Sequence, residues 1–155
     1  MTSGLGSVAE AVLAAALERL IPGDEHGPGA AEAGVGRYVE GALARAGEDT
    51  RVRWRQALEA LDTVARAREG GAFAALAPAA QDRLLELVAD GRDLGTAPSP
   101  AFFEELRQRA LEGMFCDPAW GGNAGEAGWR LLGYPGPRHV WSTADQGIDA
   151  IAPRP

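Results

Sequence analysis

Asp24, Glu25 and His26 are adjacent in the chain, and their types are those that bind metal ions or transfer protons. Carboxylates and imidazole are common zinc ligands, and histidine titrates near neutral pH. With Glu112 and Asp117 they define one hypothesis, a small stand-alone metal-dependent enzyme. Three consecutive side chains diverge, however, and loops use the same residue types to accept hydrogen bonds from backbone amides. We therefore favour a loop-stabilising role for Asp24.

The rest of the sequence lacks the motifs of common catalytic and cofactor sites. The two histidines, His26 and His139, form no Glu-x-x-His or His-Glu-x-x-His motif, and no Cys-x-x-Cys occurs. All 15 basic residues are arginine, which excludes a P-loop lysine and Schiff-base chemistry. Residues 4–9 match the dinucleotide pattern G-x-G-x-x-A, but no strand can precede them. The sequence thus predicts no catalytic, cofactor-binding or metal-binding residue in this chain.

Charge and cysteine content restrict the partner and the compartment. A net charge of -7 argues against nucleic-acid binding. The single cysteine, Cys116, cannot form an internal disulfide and is interpreted as a small buried apolar residue. The first arginine is Arg19, so no export signal is evident, and the apolar stretch 8–21 is too short to span a bilayer. We expect a cytoplasmic protein without direct membrane insertion, or a periplasmic or membrane-associated complex if a leader was removed.

The elements that position these residues are helices. Apolar residues recur at helical spacing in five segments, and no segment shows strand alternation. The predicted helices cover residues 7–21, 30–46, 48–68, 78–91 and 99–116. Ser7 with Glu10 has capping-box spacing, Glu48-Asp49 can cap the third helix, and Ser99-Pro100 can begin the fifth.

The chain changes character after residue 116. Residues 117–128 are glycine-rich, residues 129–132 can form one helical turn, and no amphipathic period follows residue 137. We predict an all-α fold of about five amphipathic helices in a single small domain, residues 1–137, with Gly/Pro-rich loops. Residues 138–155 are predicted to form an extended C-terminal tail.

Two segments carry motifs of one family. The first is residues 20–35, with the sequence LIPGDEHGPGAAEAGV. The second comprises FF at 102–103, LEGMF at 111–115, DP at 117–118, GGN at 121–123, GWR at 128–130 and GYPG at 133–136. In order and spacing they resemble the N-terminal and C-terminal signatures of the gluconate 2-dehydrogenase subunit 3 family. The resemblance covers most of the chain except the middle helices and the final tail.

This resemblance implies a role in a redox complex. Members of the family are small subunits of membrane-associated sugar and sugar-acid dehydrogenases. Their large partner belongs to the glucose–methanol–choline oxidoreductase superfamily and carries FAD and the catalytic residues, and a cytochrome c subunit often completes the complex. The resemblance implies a non-catalytic accessory subunit that binds and stabilises this flavoprotein, which oxidises a sugar, sugar acid or glycoside. Because family members usually carry a twin-arginine signal, an export escort whose leader was removed is the alternative.

Residue types within the two signatures indicate which positions contact the partner. Glycines allow close backbone approach or a positive φ, prolines lower the entropy cost of docking, and Trp and Tyr are frequent interface anchors. For Trp129 and Tyr134, a place in a small aromatic core is an equal alternative. The predicted interface residues are Pro22, Asp24, Gly27, Pro28, Gly29, Glu32, Phe115, Asp117, Pro118, Trp120, Gly121, Gly122, Asn123, Trp129, Tyr134, Pro135 and Trp141.

Overall fold

A computed structural model of the chain describes residues 4–92, 95 and 98–137, and it confirms the all-α fold. Its helices are α1 (Ser7–Leu20), α2 (Val35–Arg45), α3 (Glu48–Glu69), α4 (Pro78–Ala89), α5 (Pro100–Phe115) and α6 (Ala127–Leu131). Short 3-10 turns occupy Phe73–Ala75, Pro118–Trp120 and Ala124–Glu126. The predicted tail at 138–155, with Trp141, lies outside the described residues.

Helix α1 is the centre of the fold. It contacts each of the helices α2 to α5. Its buried residues recur three or four positions apart, so they form one face that packs against the other helices. The buried residues of α1 are Ala9, Val12, Leu13, Ala16 and Leu17.

Helix α3 buries the face that its sequence period predicts. Trp54, Leu58, Leu61 and Ala65 are all buried. The Trp54 ring meets Phe102 of α5 edge-on, with centroids 5.1 Å apart. These contacts tie the longest helix to α5, which leads into the second signature segment.

A buried carboxylate holds the connection between α3 and α4. One oxygen of Asp62 accepts a hydrogen bond from the Phe73 backbone N–H at 2.8 Å, and the other accepts from Arg66 at 2.7 Å. The Gln81 side chain donates to the Phe73 carbonyl at 2.9 Å. Because every polar group named here has a partner, its burial is tolerated.

Two predicted capping sites and one predicted helix start are wrong, whereas one cap is confirmed. The residues before α1 and α3 are Gly6 and Gly47, so neither Ser7 nor Glu48-Asp49 is the N-cap. Helix α2 begins at Val35 and not at residue 30, because Gly34 has a φ of 72° and interrupts the helical path. Ser99 does cap α5, where its hydroxyl accepts from the Phe102 N–H at 3.2 Å.

In the part of the chain that the structure describes, no helix is both long enough and apolar enough to cross a lipid bilayer.

Candidate functional site

The first signature segment forms a tight loop after α1, here called the first loop (residues 21–34). Asp24 Oδ1 accepts hydrogen bonds from the backbone N–H groups of His26 at 2.7 Å and Gly27 at 3.1 Å. The Asp24 N–H donates to the Gly27 carbonyl at 3.0 Å. The predicted role of Asp24 in bonding loop amides is confirmed.

Helix α1 anchors the base of the first loop through Glu18. Its Oε2 accepts from the Ala31 N–H at 3.0 Å, and the Ala30 N–H donates to the Ile21 carbonyl at 2.8 Å. Gly29 passes so close to Glu18 Oε1 that a Cβ at this position would overlap it. The glycine therefore allows close approach to its own chain.

The second signature segment folds around Asn123 and is here called the second loop (residues 116–136). Asn123 is fully buried and has a φ of 48°. Its Nδ2 donates to the Cys116 carbonyl, and its Oδ1 accepts from the Gly128 N–H, both at 2.8 Å. One side chain thus bridges the two ends of a thirteen-residue turn of the loop, from Cys116 to Gly128.

The second loop also satisfies the C-terminal end of α5. The last carbonyls of a helix have no intrahelical partner. Here the Asn123 N–H donates to the Gly113 carbonyl at 2.8 Å, and the Trp129 indole donates to the Phe115 carbonyl at 2.9 Å. A Cβ on Gly122 would overlap the Gly113 carbonyl oxygen, so this position requires glycine to let the loop reach the helix end.

Trp129 and Tyr134 have different environments. Trp129 is only 9% exposed, and its indole is bonded inside the chain, so it belongs to the core. Tyr134 is 46% exposed, and its ring meets Trp129 edge-on at 5.2 Å. The core alternative holds for Trp129, while Tyr134 lies at the surface with one edge packed.

The two loops contact each other. The Ala124 N–H of the second loop donates to the Ala33 carbonyl of the first at 2.8 Å. A Cβ on Gly34 would lie 2.8 Å from the Gly121 carbonyl oxygen. The segments that carry the family resemblance therefore lie side by side, next to the C-terminal ends of α1 and α5.

The predicted interface residues fall into three groups by exposure. Pro22, Asp24, Glu32, Asp117, Trp120 and Tyr134 are exposed. Gly27, Pro28, Phe115, Pro118, Gly121 and Pro135 are partly exposed. Gly29, Gly122, Asn123 and Trp129 are buried and hold the loops together. Among the four predicted interface glycines, Gly121 has a positive φ, of 95°, whereas Gly29 and Gly122 are in close approach, which is to atoms of this chain itself.

Two exposed leucines beside Tyr134 were not among the predicted residues. Leu131 is 54% exposed and Leu132 is 65% exposed, at the end of α6. Two consecutive leucines in a segment too short for an amphipathic period are the sequence signal for them. They extend the apolar surface around Tyr134.

The residues of the metal-dependent enzyme hypothesis have separate partners. The His26 ring lies 3.6 Å from the Glu25 carboxylate, and both side chains are highly exposed. Glu112 accepts from Tyr38 at 3.1 Å and pairs with Arg109 at 2.8 Å, whereas Asp117 accepts from the Ala119 N–H at 2.9 Å. The described residues include no cluster of three or more side chains able to hold a metal ion.

An open groove of about 590 Å³ lies between α2 and α5 beside the second loop. Burial, and then the hydrogen bond to Glu112, raise the pKa of Tyr38 above its usual value, so its hydroxyl stays protonated at neutral pH. Burial also raises the pKa of Cys116, which keeps the thiol in its less reactive form. The groove is lined by Tyr38, Ala42, Arg45, Ala46, Arg109, Cys116, Asp117 and Trp120.

Comparison with known proteins gives one family. The model of the family described as gluconate 2-dehydrogenase subunit 3 matches residues 9–136, a region that includes both loops and all helices except the first residues of α1. Searches of curated proteins and of solved structures found no match. Since the match covers well over half of the sequence, this chain belongs to the gluconate 2-dehydrogenase subunit 3 family.

Proposed function

We propose that this chain is a non-catalytic accessory subunit that binds and stabilises an FAD-dependent oxidoreductase of the glucose–methanol–choline type. The partner carries FAD and the catalytic residues, and its substrate is a sugar, a sugar acid or a glycoside. Membership in a family named for a dehydrogenase subunit supports this proposal. The contact between the two signature loops is the structural observation that carries it.

Both loops are held in place before any partner binds. Asp24 and Glu18 fix the first loop, Asn123 fixes the second, and the Ala124–Ala33 hydrogen bond joins them. An ordered loop loses less conformational entropy on association than a flexible one. This arrangement is suited to a docking surface.

The side chains exposed around the second loop are of the kind that anchors interfaces. Trp120 is 58% exposed, and Tyr134, Leu131 and Leu132 add a further aromatic ring and two aliphatic side chains. Large aromatic residues dominate binding energy when a partner buries them. Exposed apolar surface of this kind commonly marks an interaction site.

Co-expression with an FAD-dependent oxidoreductase of this type from the same organism tests the proposal. We expect one stoichiometric complex in size-exclusion chromatography, with FAD retained and a higher unfolding temperature than that of the flavoprotein expressed without this chain. Two separately eluting proteins at micromolar concentration would contradict it.

A matched pair of variants distinguishes a specific interface from non-specific hydrophobic association. Leu132→Ala should weaken the complex, because it removes exposed apolar surface beside Tyr134. Val8→Ala is the control, since Val8 is 46% exposed but lies about 18 Å from Leu20 along α1. Equal losses in both variants would argue against the loop surface.

A cytochrome c subunit is a further partner in this proposal. The family resemblance is what implies this partner. Haem absorbance in the purified complex, at a fixed ratio to FAD, tests for it. Purification of a complete, active complex without haem would exclude this component.

A further inference from the structure

We propose that the groove between α2 and α5 binds an extended segment of the flavoprotein in which an acidic side chain neighbours an apolar one. The inference rests on the proposed function and specifies the chemistry of the partner segment. It also assigns a role in binding to α2, most of which lies outside the two signature segments.

Spacing along α2 creates the floor of the groove. Tyr38 and Ala42 are four residues apart on one face of α2, and Ala46, four residues further, directly follows the helix end. The two alanines leave room above the backbone, while Tyr38 and Trp120 supply aromatic surface. A narrow crevice lined in part by the same two alanines continues towards Trp54. An apolar side chain fits this floor.

Arg45 supplies an available positive charge at the edge of the groove. Its guanidinium lies over the Trp120 ring, 5.4 Å from the ring centroid. This cation–π contact does not use the guanidinium N–H groups as hydrogen-bond donors to an oxygen, so they remain available to a carboxylate. In the described part of the chain Arg45 pairs with no carboxylate, whereas Arg109 on the opposite wall is paired with Glu112 at 2.8 Å.

The acidic residue of the groove favours a polypeptide segment over an occupant that carries negative charge alone. Asp117 also lines the groove, and among the described residues it pairs with no arginine. Together with the net charge of -7, it disfavours a polyanion such as nucleic acid. A polypeptide segment can offer a carboxylate to Arg45 and a backbone N–H to Asp117 at the same time.

Affinity and its salt dependence test the role of Arg45. With the full chain immobilised and the purified flavoprotein as analyte, Arg45→Gln and Trp120→Ala should each weaken binding about tenfold. Arg45→Gln should also reduce the dependence of affinity on salt. Arg68→Gln is the matched control, because Arg68 is exposed but lies about 27 Å along α3 from Thr50 of the crevice.

Cross-linking identifies the occupant. With Tyr38 replaced by p-azidophenylalanine, irradiation should link the chain to a flavoprotein segment that contains Asp or Glu. Changing that acidic residue to arginine should weaken binding to the wild-type chain, and Arg45→Glu should then restore affinity.

The outcomes distinguish this inference from the proposed function. If the complex forms but Arg45→Gln and Trp120→Ala bind like wild type, the groove is not the docking site and the proposed function stands. A link to a second copy of this chain, or to a segment without Asp or Glu, also overturns the inference. If wild type forms no complex, both proposals fail.

Discussion

Asn123 is a small polar residue at a position where an apolar side chain would leave hydrogen-bonding groups unpaired. Its carboxamide uses both its donor and its acceptor, on Cys116 and Gly128. Its positive φ of 48° is one that asparagine tolerates better than most residues. The backbone conformation and the side-chain bonds thus favour the same residue type.

Asn123→Asp should destabilise the chain by about 2 kcal/mol or more. The aspartate keeps an acceptor for Gly128 but loses the donor to the Cys116 carbonyl at a fully buried position. Urea unfolding measures the change. Asp117→Asn, an exposed substitution that keeps the acceptor for Ala119, is the control, and equal stability of the two variants would contradict the assigned role.

Glu105 predicts a pH dependence of stability. The hydrogen bond from Arg53 lowers the pKa of Glu105 below its ordinary value of 4.5; the Trp54 indole acts in the same direction, and burial opposes it. A carboxyl group with a lowered folded pKa contributes stability above its unfolded pKa. This contribution is therefore complete above pH 4.5 and is lost as the pH falls through the lowered folded pKa.

Glu105→Gln should accordingly flatten the decline of unfolding free energy below pH 4.5. Urea unfolding between pH 3 and 6 (about the window set by ordinary carboxyl groups) measures it. Glu59→Gln, an exposed substitution on α3, should leave the slope as in wild type. Identical slopes for all three proteins would show that Glu105 is not linked to folding.

At the scale of elements, glycines decide how closely the second loop approaches α5. The backbone at Gly122 lies against the Gly113 carbonyl. A Cβ added to Gly122 would also lie only 3.0 Å from Cys116 Sγ. The Gly113 carbonyl accepts from the Asn123 N–H, so any displacement here also breaks a cap of the helix end. Loop and helix are therefore coupled.

Gly122→Ala should detach part of the second loop and weaken complex formation, with most helix content retained. Gly36→Ala is the matched control on α2, outside both loops, where an added Cβ meets nothing within 4 Å and φ is not positive. Near-ultraviolet circular dichroism and affinity for the flavoprotein report the difference. A Gly122→Ala protein with native spectra and affinity would show that the loop can shift without cost.

The junction between the loops depends on Gly34. Its φ of 72° disfavours a side chain, and so does the Gly121 carbonyl oxygen, which would lie 2.8 Å from an added Cβ. Gly34→Ala should therefore increase amide exchange in both loops, at Ala124 and around Gly27. Gly36→Ala, which adds a methyl group in open space on α2, should stabilise the helix by about 0.5–1 kcal/mol. Faster exchange confined to the first loop would mean that the loops are independent.

At the scale of the whole molecule, one core supports the docking surface. Apart from Ala80 and Trp129, the described buried apolar residues form a single cluster from Leu5 to Ala127, and the family match ends at residue 136. The first loop follows α1, and the second loop follows α5, which packs on α1. The relative position of the loops therefore depends on how the helices pack. Folding and the proposed binding therefore depend on one structural unit.

Deletion of residues 141–155 should lower affinity for the flavoprotein and leave the helical domain folded. Far-ultraviolet circular dichroism and the unfolding midpoint should match those of the full chain, because the described core lies within residues 5–129. Loss of helix content on deletion would place the tail in the chain's own core.

Local sequence information determined the helices and most of their ends. Periodicity predicted the buried face of α3, and Ser99 marked a true cap. The start of α2 was misplaced because apolar spacing continues through Gly34, whose left-handed conformation was not evident from residue type. Ser7 failed as a cap because the preceding glycine takes the capping position.

The sequence by itself determined the all-α class, the positions of the two signature loops and the family. Only the tertiary structure decided that the loops touch, that Asn123 and Trp129 are internal, and that Arg45 lies over Trp120. Periodicity and turn chemistry act over a few residues, so they can be read along the chain. Contacts between residues far apart in the chain depend on how the helices pack around α1, and no local pattern encodes that arrangement.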